Sequence, residues 1–272
     1  MIKTILLWVI ALIITLVSAI YQRTTGPTFP FSSHVTINGE QIDYKLQRSD
    51  DVESLISIIA SENIEGKLFW KRFRTNDDWT VVPMKRSGDT LFTSLPLQPP
   101  AGKLEYFLQL NETKIPEEKN VVIRFKGKVP LWVLIPHVIG MFAAMLLATR
   151  TGLEFFRKGK DNLLKFTYWT IGLLIVGGFI LGPSVQYYAF DVWWTGFPFG
   201  TDLTDNKTLV ALIVWLIALF MYKRTSRPKT WALGASVVML IVYLIPHSLL
   251  GSELDYNELD QQQIKIESTQ TE

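Results

Sequence analysis

The order of apolar and polar positions divides the chain sharply. Five long apolar stretches stand out, at about Ile5–Ile20, Val129–Thr149, Phe166–Tyr187, Asp205–Tyr222 and Trp231–Leu250. The last four are close to the roughly 20 residues that a helix needs to cross a hydrocarbon layer about 30 Å thick. The first follows a start with a single Lys3 and ends in Val17-Ser18-Ala19, a small-residue site that a signal peptidase accepts. It is long for a signal peptide and short for a span, so signal anchor and cleaved signal peptide both stand.

Between the first and second stretches the period changes to two. Leu104, Tyr106, Leu108 and Leu110 alternate with Glu105, Phe107 and Gln109. Val121, Ile123 and Phe125 alternate with Val122, Arg124 and Lys126, and Leu91, Thr93 and Leu95 do so more weakly. Such alternation marks half-buried strands. Asn38-Gly39, Asn76-Asp77-Asp78, Ser87-Gly88-Asp89 and Pro99-Pro100-Ala101-Gly102 supply the turns. About six or seven short strands of this kind predict an antiparallel β-sandwich.

Composition turns these elements into a class. Of 272 residues, 48% are hydrophobic and 19% charged, and the mean hydropathy is +0.21. A soluble domain carries about 25% charge, so the expected class is an α+β membrane protein. Cysteine is absent, which excludes disulfides, thiolate nucleophiles and Cys-held zinc or iron–sulfur clusters. A net charge of +2 gives no electrostatic footprint for nucleic acid. No Walker loop, G-x-S-x-G, G-x-G-x-x-G or H-E-x-x-H pattern occurs, so enzyme activity is left open.

Lysine and arginine orient the spans. Arg150, Arg157, Lys158, Lys160 and Lys165 follow the second stretch, and Lys223, Arg224, Arg227 and Lys229 follow the fourth. Basic loops stay in the cytoplasm. The expected order is then a signal anchor or signal peptide over 1–24, an extracytoplasmic β-sandwich over 25–128, a four-helix transmembrane bundle over 129–252, and an acidic extracytoplasmic tail over 253–272. The tail, with Glu253, Asp255, Glu258, Asp260, Glu267 and Glu272, is expected to be disordered beyond about Asn257. Tyr187, Tyr188, Phe190, Trp193, Trp194, Phe197 and Phe199 crowd the outer end of the third span, as an interfacial aromatic belt would.

The stretch from Trp79 to Leu110, WTVVPMKRSGDTLFTSLPLQPPAGKLEYFLQL, resembles the middle of an immunoglobulin-like or fibronectin type III-like module. The resemblance covers about a third of the β region and implies a fold, not a ligand. Trp70 and Trp79 are expected in the core, because Trp buries a large area. The whole layout resembles bacterial polytopic inner-membrane proteins that carry such an ectodomain. That resemblance implies the inner (plasma) membrane, contact with the lipid bilayer and a partner among envelope proteins.

Candidate chemistry rests on histidine. Two of the three His sit in the same tetrapeptide, Leu134-Ile135-Pro136-His137 and Leu244-Ile245-Pro246-His247. Both fall near the outer ends of oppositely directed helices, at depths within roughly 8 Å of each other. Ionisable residues in a membrane are costly and point to function. With Asp202 and Asp205 in the loop FGTDLTDNKT, they make a ligand set for a transition-metal ion. Alternatively, His137 and His247 hold a b-type haem for electron transfer, as facing helices of a bundle can. Met141 and Met145 on the His137 face suit copper(I), or simply packing. The competing uses are helix capping by Asp202 or Asp205 and hydrogen bonding by the two imidazoles. In that case the protein is a non-enzymatic scaffold or assembly partner.

Overall fold

The computed structural model describes residues 2–158, 162–247, 249, 251 and 253–270. The chain is α+β and gathers into two compact units, Met1–Pro27 with Val129–Ser252, and Thr28–Lys128 with Glu253–Glu272.

The first unit is helical. It contains α1 (Ile2–Thr25), α2 (Leu131–Gly152) with a 3-10 turn at Leu153–Phe156, α3 (Leu163–Leu174), α4 (Gly182–Phe190), α5 (Leu203–Tyr222) and α6 (Pro228–Leu244). A π-helical segment, Ile175–Leu181, joins α3 to α4. Among the described residues, four helices are long and apolar enough to cross a membrane: Lys3–Thr25, Leu131–Phe156, Leu163–Phe190 and Leu203–Tyr222. They fit a multi-pass membrane protein in contact with lipid. Their outward faces are apolar, with Ile5, Val17, Ile20, Ile139 and Ile180 exposed.

Small side chains line the inside. Ala144 and Ala148 of α2, Ala211 and Ala218 of α5 and Ala235 of α6 surround Trp215, Met145 and Met239. Small residues let helices approach closely where lipid supplies no hydrophobic drive. One close approach is between α2 and the π segment: a Cβ on Gly177 would meet backbone atoms of Gly140 and Met141 at 3.2 Å.

α1 packs on α2 and α6. One expectation changes here. The fifth apolar stretch does not stay helical to Leu250. Its helix ends at Leu244, and Ile245 is extended, with ψ 119°. The cause is Pro246, whose ring disfavours helical geometry in the residue before it. Pro136, by contrast, sits in the second turn of α2 and leaves the helix continuous.

The second unit is rich in strands. They are β1 (Phe31–Ile37), β2 (Glu40–Leu46), β3 (Ser49–Asp50), β4 (Ser54–Ile59), β5 (Gly66–Arg72) and β6 (Thr80–Pro83), followed by β7 (Lys85–Ser87), β8 (Thr90–Leu95), β9 (Lys103–Leu110), β10 (Thr113–Ile115) and β11 (Val121–Phe125). They form a two-stranded sheet β1-β2, a three-stranded sheet β4-β8-β7, and a six-stranded sheet in the order β3-β11-β9-β5-β6 with β10 on β9. None of these sheets closes on itself. All pairings are antiparallel except β3 with β11, which is parallel, a departure from the expected all-antiparallel arrangement. The Asn38-Gly39 signal makes the first hairpin, with both residues at positive φ, as a tight hairpin turn requires.

One core serves all three sheets. Ile42 and Leu46 of β2, Ile56 and Ile58 of β4, Leu91 and Leu95 of β8, and Leu68, Leu104, Tyr106, Leu108 and Ile123 of the large sheet belong to it. The alternation in β9 therefore predicts burial correctly, because Leu104, Tyr106, Leu108 and Leu110 are the buried set. Trp70 packs against this core. Trp79 does not join it: its ring lies edge-on to Phe107 at 5.0 Å, on the side of the sheet opposite Tyr106.

The tail corrects a further expectation. Where disorder is expected beyond about Asn257, Tyr256–Gln270 forms a helix, α7. Asp255 starts it, accepting hydrogen bonds from the Asn257 (2.9 Å) and Glu258 (3.4 Å) amides, an N-cap written in the sequence.

Candidate functional site

The polar side chains of the helical unit collect at two places. The first lies where the C-terminus of α1, the first turns of α2 and α5, and the residues after α6 meet. It contains His137 and His247, and it adds two residues that the sequence did not single out, Gln22 and Lys207.

His137 is placed by α2 and faces the π segment. Its Nδ1 lies 2.8 Å from the Gly177 carbonyl oxygen. A carbonyl only accepts, so Nδ1 carries the proton and Nε2 has a bare electron pair. The π segment is what makes the carbonyl reachable, because its wider turn disturbs the α-helical ladder. Gly182 gives the ring room, as a Cβ there would stand 3.7 Å from His137 Cε1.

His247 has the opposite tautomer. Its Nδ1 lies 2.9 Å from Gln22 Nε2 and 3.1 Å from Lys207 Nζ. An ammonium only donates, so Nδ1 accepts and the ring proton sits on Nε2. Lys207 also donates to the Ile245 carbonyl at 2.7 Å. That carbonyl is available because the helix ended at Leu244. Lys207 is 6% exposed, so its head group is held inside the unit rather than in solvent.

The two aspartates are used locally. Asp202 is the N-cap of α5 and accepts from the Thr204 amide (2.7 Å) and the Asp205 amide (3.4 Å). Asp205 accepts from the Thr195 amide (2.7 Å) and the Thr195 hydroxyl (3.2 Å), which pins the loop before α5. Asn206 holds the same loop by accepting from the Phe197 amide at 2.7 Å. Among the described residues, no group of three or more His, Asp or Glu is arranged to hold a metal ion. The four residues expected to form one ligand set are thus divided between two tasks. Met141 turns to the glycines, its sulfur 3.2 Å from where a Gly177 Cβ would stand, and Met145 is fully buried in the helix core.

The second polar place is fully enclosed. Arg150 Nη2 stands 2.7 Å from Glu154 Oε1, and both side chains are 0% exposed. The guanidinium lies over the rings of Trp8 (5.4 Å) and Phe166 (5.3 Å). The ion pair is a charge contact without hydrogen-bond alignment: among the described residues, Arg150 Nε, Nη1 and Nη2 and Glu154 Oε2 find no hydrogen-bond partner. A charge this deep is tolerated because the opposite charge and two aromatic faces replace water.

Lys207 was legible only as a loop residue in an acidic segment, and Gln22 only as the end of a signal segment. The available signal was position. Each lies within one helical turn or so of the level reached by the His-containing tetrapeptides.

No protein-family model, curated protein or solved structure matches the chain.

Proposed function

We propose that the protein is a non-enzymatic membrane scaffold. On this reading the helices hold the β-rich unit, an immunoglobulin-like β-sandwich, at the outer face of the bacterial inner membrane, where it docks another envelope protein. The observation that carries the reading is the ammonium of Lys207 on His247. A site that presents a cation and a ring N–H repels a metal ion and leaves His247 no electron pair to give it. The polar end of the bundle is then a fastening of α1, α5 and the segment after α6.

Other features agree. The basic loops after α2 and after α5 put the opposite helix ends outside, and the chain passes to the β-rich unit from those ends. The outward side of the large sheet carries Phe69 and Phe107, stacked at 4.7 Å, with Trp79 beside them. Lys114 and Lys71 stand over Phe107 (4.9 Å) and Trp79 (5.2 Å). Aromatic rings flanked by cations are common material for protein interfaces.

A metal ion or b-haem at His137 and His247 is the second reading. It is favoured by the His137 geometry, since a carbonyl on Nδ1 and a bare Nε2 is how ligating imidazoles are usually oriented. One measurement separates the two. The protein is purified in mild detergent, and its visible spectrum and metal content are recorded with those of His137→Ala and His247→Ala. A colourless protein without stoichiometric metal is expected for all three. A Soret band, or about one metal ion per chain that either variant loses, overturns the scaffold reading.

A further inference from the structure

The segment Glu253–Gln270 of the β-rich unit is seated on that unit's own basic surface through contacts made by Glu253, Leu254, Tyr256 and Asp260. Arg72, the last residue of β5, is held by two carboxylates at once. Its Nε and Nη2 donate to Asp77 at 2.6 and 3.0 Å. Its Nη1 and Nη2 donate to Asp260 of α7 at 2.7 and 2.8 Å. Planar two-point pairing of this kind is the strongest form of a guanidinium–carboxylate contact. Glu253 adds a second attachment, taking Lys103 at 2.6 Å and Arg74 at 3.5 Å.

Between these charges sits an anchor. Tyr256 is 4% exposed. Its ring lies under the Arg72 guanidinium, 5.2 Å away, and its hydroxyl donates to Gln98 Oε1 at 3.0 Å. The slot exists because residue 102 is glycine: a Cβ there would come within 2.8 Å of the Tyr256 hydroxyl. The Leu254 amide donates to the Ala101 carbonyl at 3.2 Å. Past Asp260 the character changes. Ile264 is 67% and Ile266 58% exposed, so the far half of α7 buries little.

We infer that this surface, made by Arg72, Arg74, Lys103, Gln98 and Gly102, is a recognition site for an acidic peptide segment with a tyrosine anchor, and that Glu253–Asp260 is its built-in competitor. The inference rests on the docking role proposed above and names the partner's chemistry: a tyrosine with one acidic residue about three positions before it and another about four positions after. The strap can leave because its charge pairs are partly exposed, and such pairs contribute little each. It stays in place because it is tethered. A segment of the same chain returns to its site without a bimolecular step, which raises its effective concentration over that of a free peptide.

The test uses the full chain. A fluorescent peptide of residues 253–270 is titrated against wild type and against the Tyr256→Ala/Asp260→Asn double variant, in which the strap is loosened. The peptide is expected to bind the double variant about 100-fold more tightly than wild type, and the same peptide carrying Tyr256→Ala is expected to lose that binding. Slow hydrogen exchange in β9 checks that the variant keeps its fold. The milder Asp260→Asn variant is expected to show a smaller gain in the same direction. No gain in either variant, or undiminished binding of the Tyr256→Ala peptide, overturns the proposal. Haem or metal in the purified protein would overturn the scaffold reading instead, and would leave this titration unchanged.

Discussion

Two arginines, each facing carboxylates and aromatic rings, show what surroundings do to the same chemistry. Arg150 is sealed inside the helical unit, opposite one carboxylate, with its nitrogens lacking aligned partners. Arg72 is partly exposed and pairs two carboxylates through four aligned hydrogen bonds. The better hydrogen bonds belong to the pair that is easier to undo. Arg72 and its partners can be rehydrated when they part, so separation costs little. Arg150 and Glu154 have no water to return to unless the helices themselves move.

The comparison is most sharply tested at Arg150. Arg150→Met leaves Glu154 only its longer contact with Arg157, at 3.4 Å, and is expected to destabilise the helical unit by about 3 kcal/mol, read as a fall in thermal unfolding temperature in detergent. Adding Glu154→Leu to that variant should restore most of the loss, because an apolar pair is often as stable as a buried ionic one. Should the single variant be as stable as wild type, the pair is not sealed.

At Arg72 the expected effect is smaller and of another kind. Arg72→Ala should cost less than about 1 kcal/mol of global stability, yet it should free the strap, seen as fast hydrogen exchange of the amides of residues 254–260. Slow exchange there would show that Glu253, the Leu254 amide and Tyr256 hold the segment without Arg72.

The strap should also respond to pH. Hydrogen bonds from Arg72 hold the Asp77 and Asp260 carboxyls below the usual carboxylate range. Their contribution is therefore present above the ordinary value near pH 4 and is lost as pH falls through the lowered values. Burial pushes the Tyr256 hydroxyl up to about 12, so its contribution is complete below the ordinary tyrosine value of about 10 and is lost as pH rises through about 12. Protection of the amides at residues 254–260, with the intrinsic exchange rate at each pH divided out, should be high from about pH 5 to 9 and fall beyond both limits. A flat profile would mean the carboxylates do not hold the strap. The smallest effect belongs to Asp77→Asn, which leaves Arg72 its contact with Asp260. Strap exchange should rise only about twofold.

The apolar stretches and the alternation of β9 and β11 were readable because each follows from burial on one face or all round. The end of α6 was readable in principle from Pro246, but the run of apolar residues to Leu250 outweighed it. The π segment had no such mark: Gly177-Gly178 and Gly182 read equally well as close helix packing. The site was half legible. The matched tetrapeptides pointed to His137 and His247, and the structure puts them in one cluster. What decides the chemistry of His247 is a lysine 40 positions away, and no local pattern connects the two. The same holds for the strap, where Arg72 and Asp260 are 188 positions apart and the tail's acidity reads as solvation until a basic surface is found beneath it.

The early end of α6 bears on the lipid as well. Its 17 residues span about 26 Å at 1.5 Å per residue, while the 20 residues of α5 span about 30 Å. Both helices expose apolar residues, Val237 and Ile241 on one and Ile213 and Leu216 on the other. The protein therefore presents two hydrophobic thicknesses around its girth. Acyl chains beside a helix of the shorter length would have to shorten or tilt to meet it, at a cost of fractions of a kcal/mol per Å.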